Sequence, residues 1–244
     1  MALFSSSKEV AVPRFRSQKN QLRALLETPQ WRDNLESIAA DGISSVGPLM
    51  SFLLYEPVLR LRAAIALGLT TSKIHAEKPE MARDILRRLN WRLSEESGNI
   101  GWGVPEAVGE ILAQCPPLAK DFHRIFFSTI LDLGFDDNYV DNDVLRRSCY
   151  FAIGRFIKAC PQYGEEIRPL LRKGLQDSDA ACCGFAAWAL GMLPPDLNDS
   201  VALRQLAQKG EEASCLLTDG DQVVVCTPSE LAEDTLHGTP RIGR

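Results

Sequence analysis

Apolar residues recur along this chain at three- and four-residue steps, as in Ile85, Leu86, Leu89 and Leu93, which is the pattern of a helix with one buried face. Four such segments are predicted over 46–54, 81–93, 122–133 and 167–175. Each is followed by a second apolar segment that closes on the same phrase: Ala66-Leu67-Gly68, Ala107-Val108-Gly109, Ala152-Ile153-Gly154 and Ala189-Leu190-Gly191. The glycines stand 41, 45 and 37 residues apart. That is the period of stacked helix pairs, each burying its apolar face on the next.

Alignment on the glycines sharpens the repeat. Twelve positions upstream stand Glu56, Ser97, Asn142 and Asp179; Ser, Asn and Asp are types whose side chains accept bonds from the free amides of a helix start. Eight positions upstream are Arg60, Gly101, Arg146 and Cys183, and two positions upstream is alanine in every copy, the residue that close contact between helix backbones requires. Acidic turns such as Gln176-Asp177-Ser178-Asp179 lead into the second helices. The phrase Leu59-Arg60-Leu61-Arg62-Ala63-Ala64-Ile65-Ala66-Leu67-Gly68 resembles the second helix of a HEAT-like repeat, of the armadillo-like bacterial type seen in phycobilin lyases and their relatives. The resemblance covers roughly residues 43–195. It implies an all-α, right-handed solenoid of about five helix pairs.

The flanks complete the expected organisation: a disordered start over 1–12, capping helices over 13–42 (residues 22–26 and 31–39), the solenoid over 43–212 with a last helix at 201–208, and a tail over 238–244. Residues 213–237 break the helical rhythm. Cys215-Leu216-Leu217, Thr218-Asp219-Gly220-Asp221 and Gln222-Val223-Val224-Val225-Cys226 read as a hairpin with Asp-Gly at its turn, and Pro228-Ser229-Glu230-Leu231 opens a short helix. A lone hairpin is marginal in water, so this one is expected to pack on the last helix pair as part of a cap.

Composition adds limits. No apolar run approaches the roughly 20 residues of a membrane span, and the N-terminus lacks the apolar core of a secretory signal, so the cytoplasm is the expected location. The net charge of −5 opposes nucleic-acid binding, which needs a concentrated basic surface. Seven cysteines include no Cys-x-x-Cys and read as small core residues. Cys115-Pro116 and Cys160-Pro161 read as repeated helix endings, too far apart to pair. His75, His123 and His237 fall out of register with the repeat, so neither a metal nor a cofactor is expected.

The second copy departs from the pattern. Gly98-Asn99-Ile100-Gly101-Trp102-Gly103-Val104-Pro105 replaces the expected arginine with a glycine-rich bend around a tryptophan. Glu106 stands where the other copies carry Ile65, Phe151 and Trp188. A carboxylate on an apolar stripe must be paired, protonated or open to a groove. Glu110 shares its face one turn on, and Arg62 and Arg155 are the candidate partners. Trp102, Glu106, Glu110, Arg62 and Arg155 are therefore the candidate binding residues on the inner face, with an internal ion pair as the alternative.

Two other clusters read as ordinary surface. Asp136 to Asp143 lacks the glycine and closing glutamate of an EF-hand loop and is taken as a solvated turn with a cap. Arg83, Arg87, Arg88 and Arg92, with Asp84, Glu95 and Glu96 nearby, form a solvated outer helix face. The leading functional class is a non-enzymatic interaction scaffold with a protein or peptide partner on the inner face. The resemblance leaves a chromophore lyase-like or chaperone role as the alternative, with a site at Trp102 and Glu106, and a HEAT-like DNA-repair glycosylase as a weaker one.

Overall fold

The computed structural model describes residues 14–93, 101–135, 138–210 and 212–241. The expectations for 1–12, for Ser97 as a helix cap, for Gly98 to Ile100, for Glu95 and Glu96, for Asp136 and Asp137, and for the end of the tail fall outside these residues.

Two leading helices, α1 (Arg14–Glu27) and α2 (Leu35–Ala40), come before five successive pairs. The pairs are α3 (Ile43–Phe52) and α4 (Pro57–Glu77), α5 (Pro79–Leu93) and α6 (Val104–Gln114), α7 (Pro116–Ser128) and α8 (Asp143–Ala159), α9 (Gly164–Gly174) and α10 (Ala180–Leu190), and α11 (Leu197–Gln208) and α12 (Pro228–Leu236). Between the last two helices run strands β1 (Cys215–Thr218) and β2 (Val223–Cys226). The second helices α4, α6, α8, α10 and α12 stack in that order in one inner layer, and the first helices lie outside them. This is the two-layer helical solenoid that the HEAT-like phrase implies. No helix among the described residues is long and apolar enough to cross a membrane.

The repeated phrase is where the inner helices touch. A Cβ built on Gly68 would lie 2.7 Å from the Glu110 carbonyl oxygen, one on Gly109 2.8 Å from that of Ala152, and one on Gly154 3.2 Å from the Ala189 Cα. Such distances leave no room for a side chain, so the glycines set the closest approach, and the neighbouring alanines, 0–1 % exposed, fill the seam around them. Alanine, which the sequence marks as the contact residue, thus shares that role with the glycine that follows it.

Helix starts follow local chemistry. Asn142 and Asp179 accept the Leu145 and Cys182 amides through their side chains, whereas Glu56 makes no such bond and α4 begins on Pro57. In the second copy the cap is Gly103, at φ +72°, a conformation that glycine adopts freely. Several boundaries depart from expectation, α1 starting at Arg14 rather than residue 22, α3 at Ile43 rather than 46 and α11 at Leu197 rather than 201. The helix expected over 122–133 runs instead from Pro116 to Ser128, because Pro116 suits a first helical turn and ends one helix while opening the next. The helix expected over 31–39 starts only at Leu35: the Asn34 side chain donates to the Leu25 carbonyl and the Thr28 hydroxyl, drawing 28–34 into turns.

The hairpin was expected against the last helix pair alone. It does touch α10, where Cys215 is buried against Gly184 and Ala181, but β1 also reaches α4. Its turn ends at the opposite end of the solenoid. Trp31 Nε1 donates to Asp221 at 2.8 Å, Arg32 pairs with the same carboxylate, and Arg62 donates to the Gly220 carbonyl. The helix that follows, α12, packs on α10 and α11 and covers the end of the stack. All seven cysteines are buried and none is in a disulfide; burial pushes the Cys149 and Cys215 thiols up to about 12, which keeps them protonated core groups.

A candidate binding pocket between the inner helices and the hairpin

Where β1 crosses the inner layer it leaves a cavity of about 150 Å³. Early residues of the inner helices form most of its lining: Arg60 and Leu61 from α4, Glu106 from α6, Arg147, Ser148 and Phe151 from α8, and Phe185 from α10. Leu216 and Thr218 of β1 close one side. The walls are thus aromatic and aliphatic, with polar groups supplied by successive repeats.

Glu106 is 6 % exposed. The Ser148 hydroxyl donates to its Oε1 at 3.3 Å, and Arg60 Nη1 stands 3.7 Å from the same oxygen. Oε2 is buried with no hydrogen-bond partner among the described residues. Burial pushes the Glu106 carboxyl above its ordinary range, with Arg60 the main opposing influence. Arg60 is itself engaged elsewhere, its Nε donating to the Leu53 carbonyl and its Nη2 to that of Tyr55. Arg147 is held by Asp179 through two bonds of 2.8 and 2.6 Å, which draw the Asp179 carboxyl down to about 2. Arg60 and Arg147 therefore both line the cavity with guanidinium groups, Arg60 facing Glu106 Oε1 and Arg147 held by Asp179.

The five residues singled out by sequence separate into four places. Glu106 lines the cavity. Glu110 instead pairs with Arg155, while Gln114 donates to both the Ile65 carbonyl and Glu110, so this cluster braces α6 against α8 and α4. Arg62 lies at the hairpin turn, donating also to the Leu26 carbonyl at 2.6 Å, and meets Asp221 rather than Glu106. Trp102 is half-buried against the core and is not part of the cavity lining. Sequence reasoning missed Arg60 and Ser148 as neighbours of Glu106 because repeat position alone does not fix where adjacent inner helices touch: Glu110 meets Arg155 at the equal position, while the backbones meet out of step. Gly109 rests on Ala152, two residues before the next repeat glycine, and a count that allowed for this shift would have pointed earlier in α8. Nothing in the sequence signals Leu216, which arrives only because the chain folds back.

No protein-family model matches the chain. An uncharacterised protein of Archaeoglobus fulgidus is 30% identical over 186 residues, an alignment that takes in 75% of this chain and 91% of the archaeal one. The chain belongs to the family of that archaeal protein. Among solved structures, a designed armadillo repeat protein in complex with the peptide (KR)4 aligns with a TM-score of 0.45 and 16% identity, covering 90% of this chain and 98% of the designed one. YibA of Escherichia coli aligns with a TM-score of 0.47 and 18% identity, covering 87% of this chain and 73% of YibA.

Proposed function

We propose that the protein is a non-enzymatic binding scaffold whose inner face takes a short segment of a protein partner, one side chain or chain end entering beside β1 at Glu106. The observation that carries this reading is the Glu106 carboxylate, buried among Leu61, Phe151 and Phe185 with one oxygen unpaired. A bare buried acceptor costs free energy that a donor from a bound group would recover. The hairpin lies across the inner layer, so the entering group is compact. An extended peptide running the length of the solenoid would have to displace the β1 contacts.

The cavity's size also favours a second reading, a compact small molecule with an apolar body and a donor group. Ligand sites for drug-sized molecules usually measure about 300 Å³ or more, so an extended chromophore fits less well. The experiment is to pan a random heptapeptide library on the protein and measure the enriched peptides against Glu106→Gln and Phe185→Ala. A loss of about tenfold or more in affinity with each variant, equivalent to roughly 1.4 kcal/mol, is expected. Enriched peptides that bind both variants as well as the wild type would refute the reading.

A further inference from the structure

On the opposite face the outer helices do not close over one another as the inner ones do. Between α3 and α5 lies a hollow of about 630 Å³. Small residues of α3, Gly47 and Ser51, form part of its floor, and Leu54, 64 % exposed, stands at its edge. The α5 wall is Trp91, 74 % exposed, flanked by Arg87, Arg88 and Arg92. A second, smaller hollow lies on the other side of Trp91, against Ile125 of α7. The tryptophan is therefore a ridge between two recesses, unsupported by the core that buries Trp31 and Trp188.

The charges around it are unequally used. Arg87 is neutralised by Asp84 and Glu80, and Arg83, one turn earlier, by Asp121 and Glu80. Arg88 and Arg92 make no ion pair with any described residue. In a chain of net charge −5, this places cations with no ion-pair partner among the described residues beside exposed apolar surface. Tryptophan and arginine are the residue types that most often dominate interface energies, and exposed apolar surface rimmed by polar groups marks interaction sites.

We infer that the hollow between α3 and α5 is a docking surface for an acidic amphipathic segment of a partner protein, whose apolar side chains cover Leu54 and Trp91 while its carboxylates meet Arg88 and Arg92. A nucleic acid fits less well. The cations flank an apolar recess rather than forming a continuous basic track, and the acidic remainder of the molecule repels a long polyanion. This surface is independent of the Glu106 cavity, and the two stand or fall separately.

The test uses fluorescein-labelled synthetic peptides in which Glu pairs alternate with Leu and Phe, together with the same apolar pattern carrying Lys, a polyglutamate of equal length, and a single-stranded DNA oligonucleotide. Fluorescence anisotropy is expected to show saturable binding of the Glu-Leu-Phe peptide only, weakening at higher salt. Arg88→Glu with Arg92→Glu, and separately Trp91→Ala, should each reduce affinity by about tenfold or more, while Phe185→Ala leaves it unchanged. All three α5 side chains lie at the surface, and unchanged melting temperatures show that the variants fold. The proposal is overturned by any of four results: no binding of the Glu-Leu-Phe peptide at millimolar concentration, equal binding of the lysine or polyglutamate peptide, competition by the oligonucleotide, or retained affinity in the variants. A wild-type dimer that the arginine substitutions dissociate would also overturn it, by making a second copy the occupant.

Discussion

Arg60 and Arg146 occupy the same position in the repeat, eight residues before its glycine, and their surroundings diverge. Both reach back to carbonyl oxygens of the preceding loop: Leu53 and Tyr55 for Arg60, Val140 and Asp141 for Arg146. Arg146 is 1 % exposed and gains two bonds to Asp177, at 2.9 and 2.8 Å, and one to Asp143. Among carboxylates of the described residues Arg60 has only Glu106, at 3.7 Å. One arginine is a finished structural joint, and the other faces a carboxylate whose second oxygen has no partner among the described residues. The difference teaches that a repeat can keep its joint while one copy leaves polar capacity open to a ligand.

The comparison breaks most decisively at the finished joint. Asp177→Ala should cost about 3 kcal/mol, because it removes the buried partner of Arg146 and leaves only the exposed Asp143 carboxylate against that charge; urea unfolding measures it, and a loss below about 1 kcal/mol would demote that joint to an ordinary surface pair. Next in size is the seam on which both arginine helices are hung. Ala152→Leu should cost about 1–3 kcal/mol through overpacking against α6, where Ala152 already meets Gly109, while the exposed Arg87→Ala should stay within about 0.5 kcal/mol. Thermal melts of the two variants should separate clearly.

Smaller still is the effect expected at the open joint. Because burial raises the Glu106 carboxyl in the folded state, its contribution to stability is fully present below the ordinary carboxylate range and is lost as pH rises through the raised value. Glu106→Gln mimics the neutral form. It should leave stability at acidic pH nearly unchanged and flatten the decline toward neutral pH, in contrast to Asp177→Ala. A large destabilisation by Glu106→Gln at pH 7 would show that Arg60 and Glu106 form a joint like the other. Asp179 provides the opposite sign: held down to about 2 by Arg147, it contributes stability above the ordinary aspartate range that fades as pH falls toward that value, and Asp179→Asn should remove this acid-side slope.

Much of the solenoid was legible because each repeat writes its own contacts: the Ala-x-Gly phrase, the caps at Asn142 and Asp179 and the 3.6-residue apolar rows are local and recur. The candidate site was legible only at Glu106. Its carboxylate breaks a repeated apolar position, which a sequence shows directly, but its neighbours depend on how far one helix slides along the next. Of the expected partners, Arg155 does meet a carboxylate of that face, Glu110, whereas Arg62 meets Asp221 and Glu106 itself meets Arg60 and Ser148. The course of the hairpin was not legible at all, since Trp31 and Asp221 meet across 190 residues of sequence with no pattern linking them.

That meeting alters how the molecule should come apart. A stack in which each unit touches only its neighbours loses its ends first, one unit at a time, and its two termini fray independently. Here the Asp221 turn rests on Trp31, Arg32 and Arg62, so the hairpin after α11 holds the segment that follows α1. The hairpin thus straps the two ends of the linear array together. Amide hydrogen exchange in α1 and in α12 should therefore respond together to a change at either, and Asp221→Ala should restore independent fraying by quickening exchange at both.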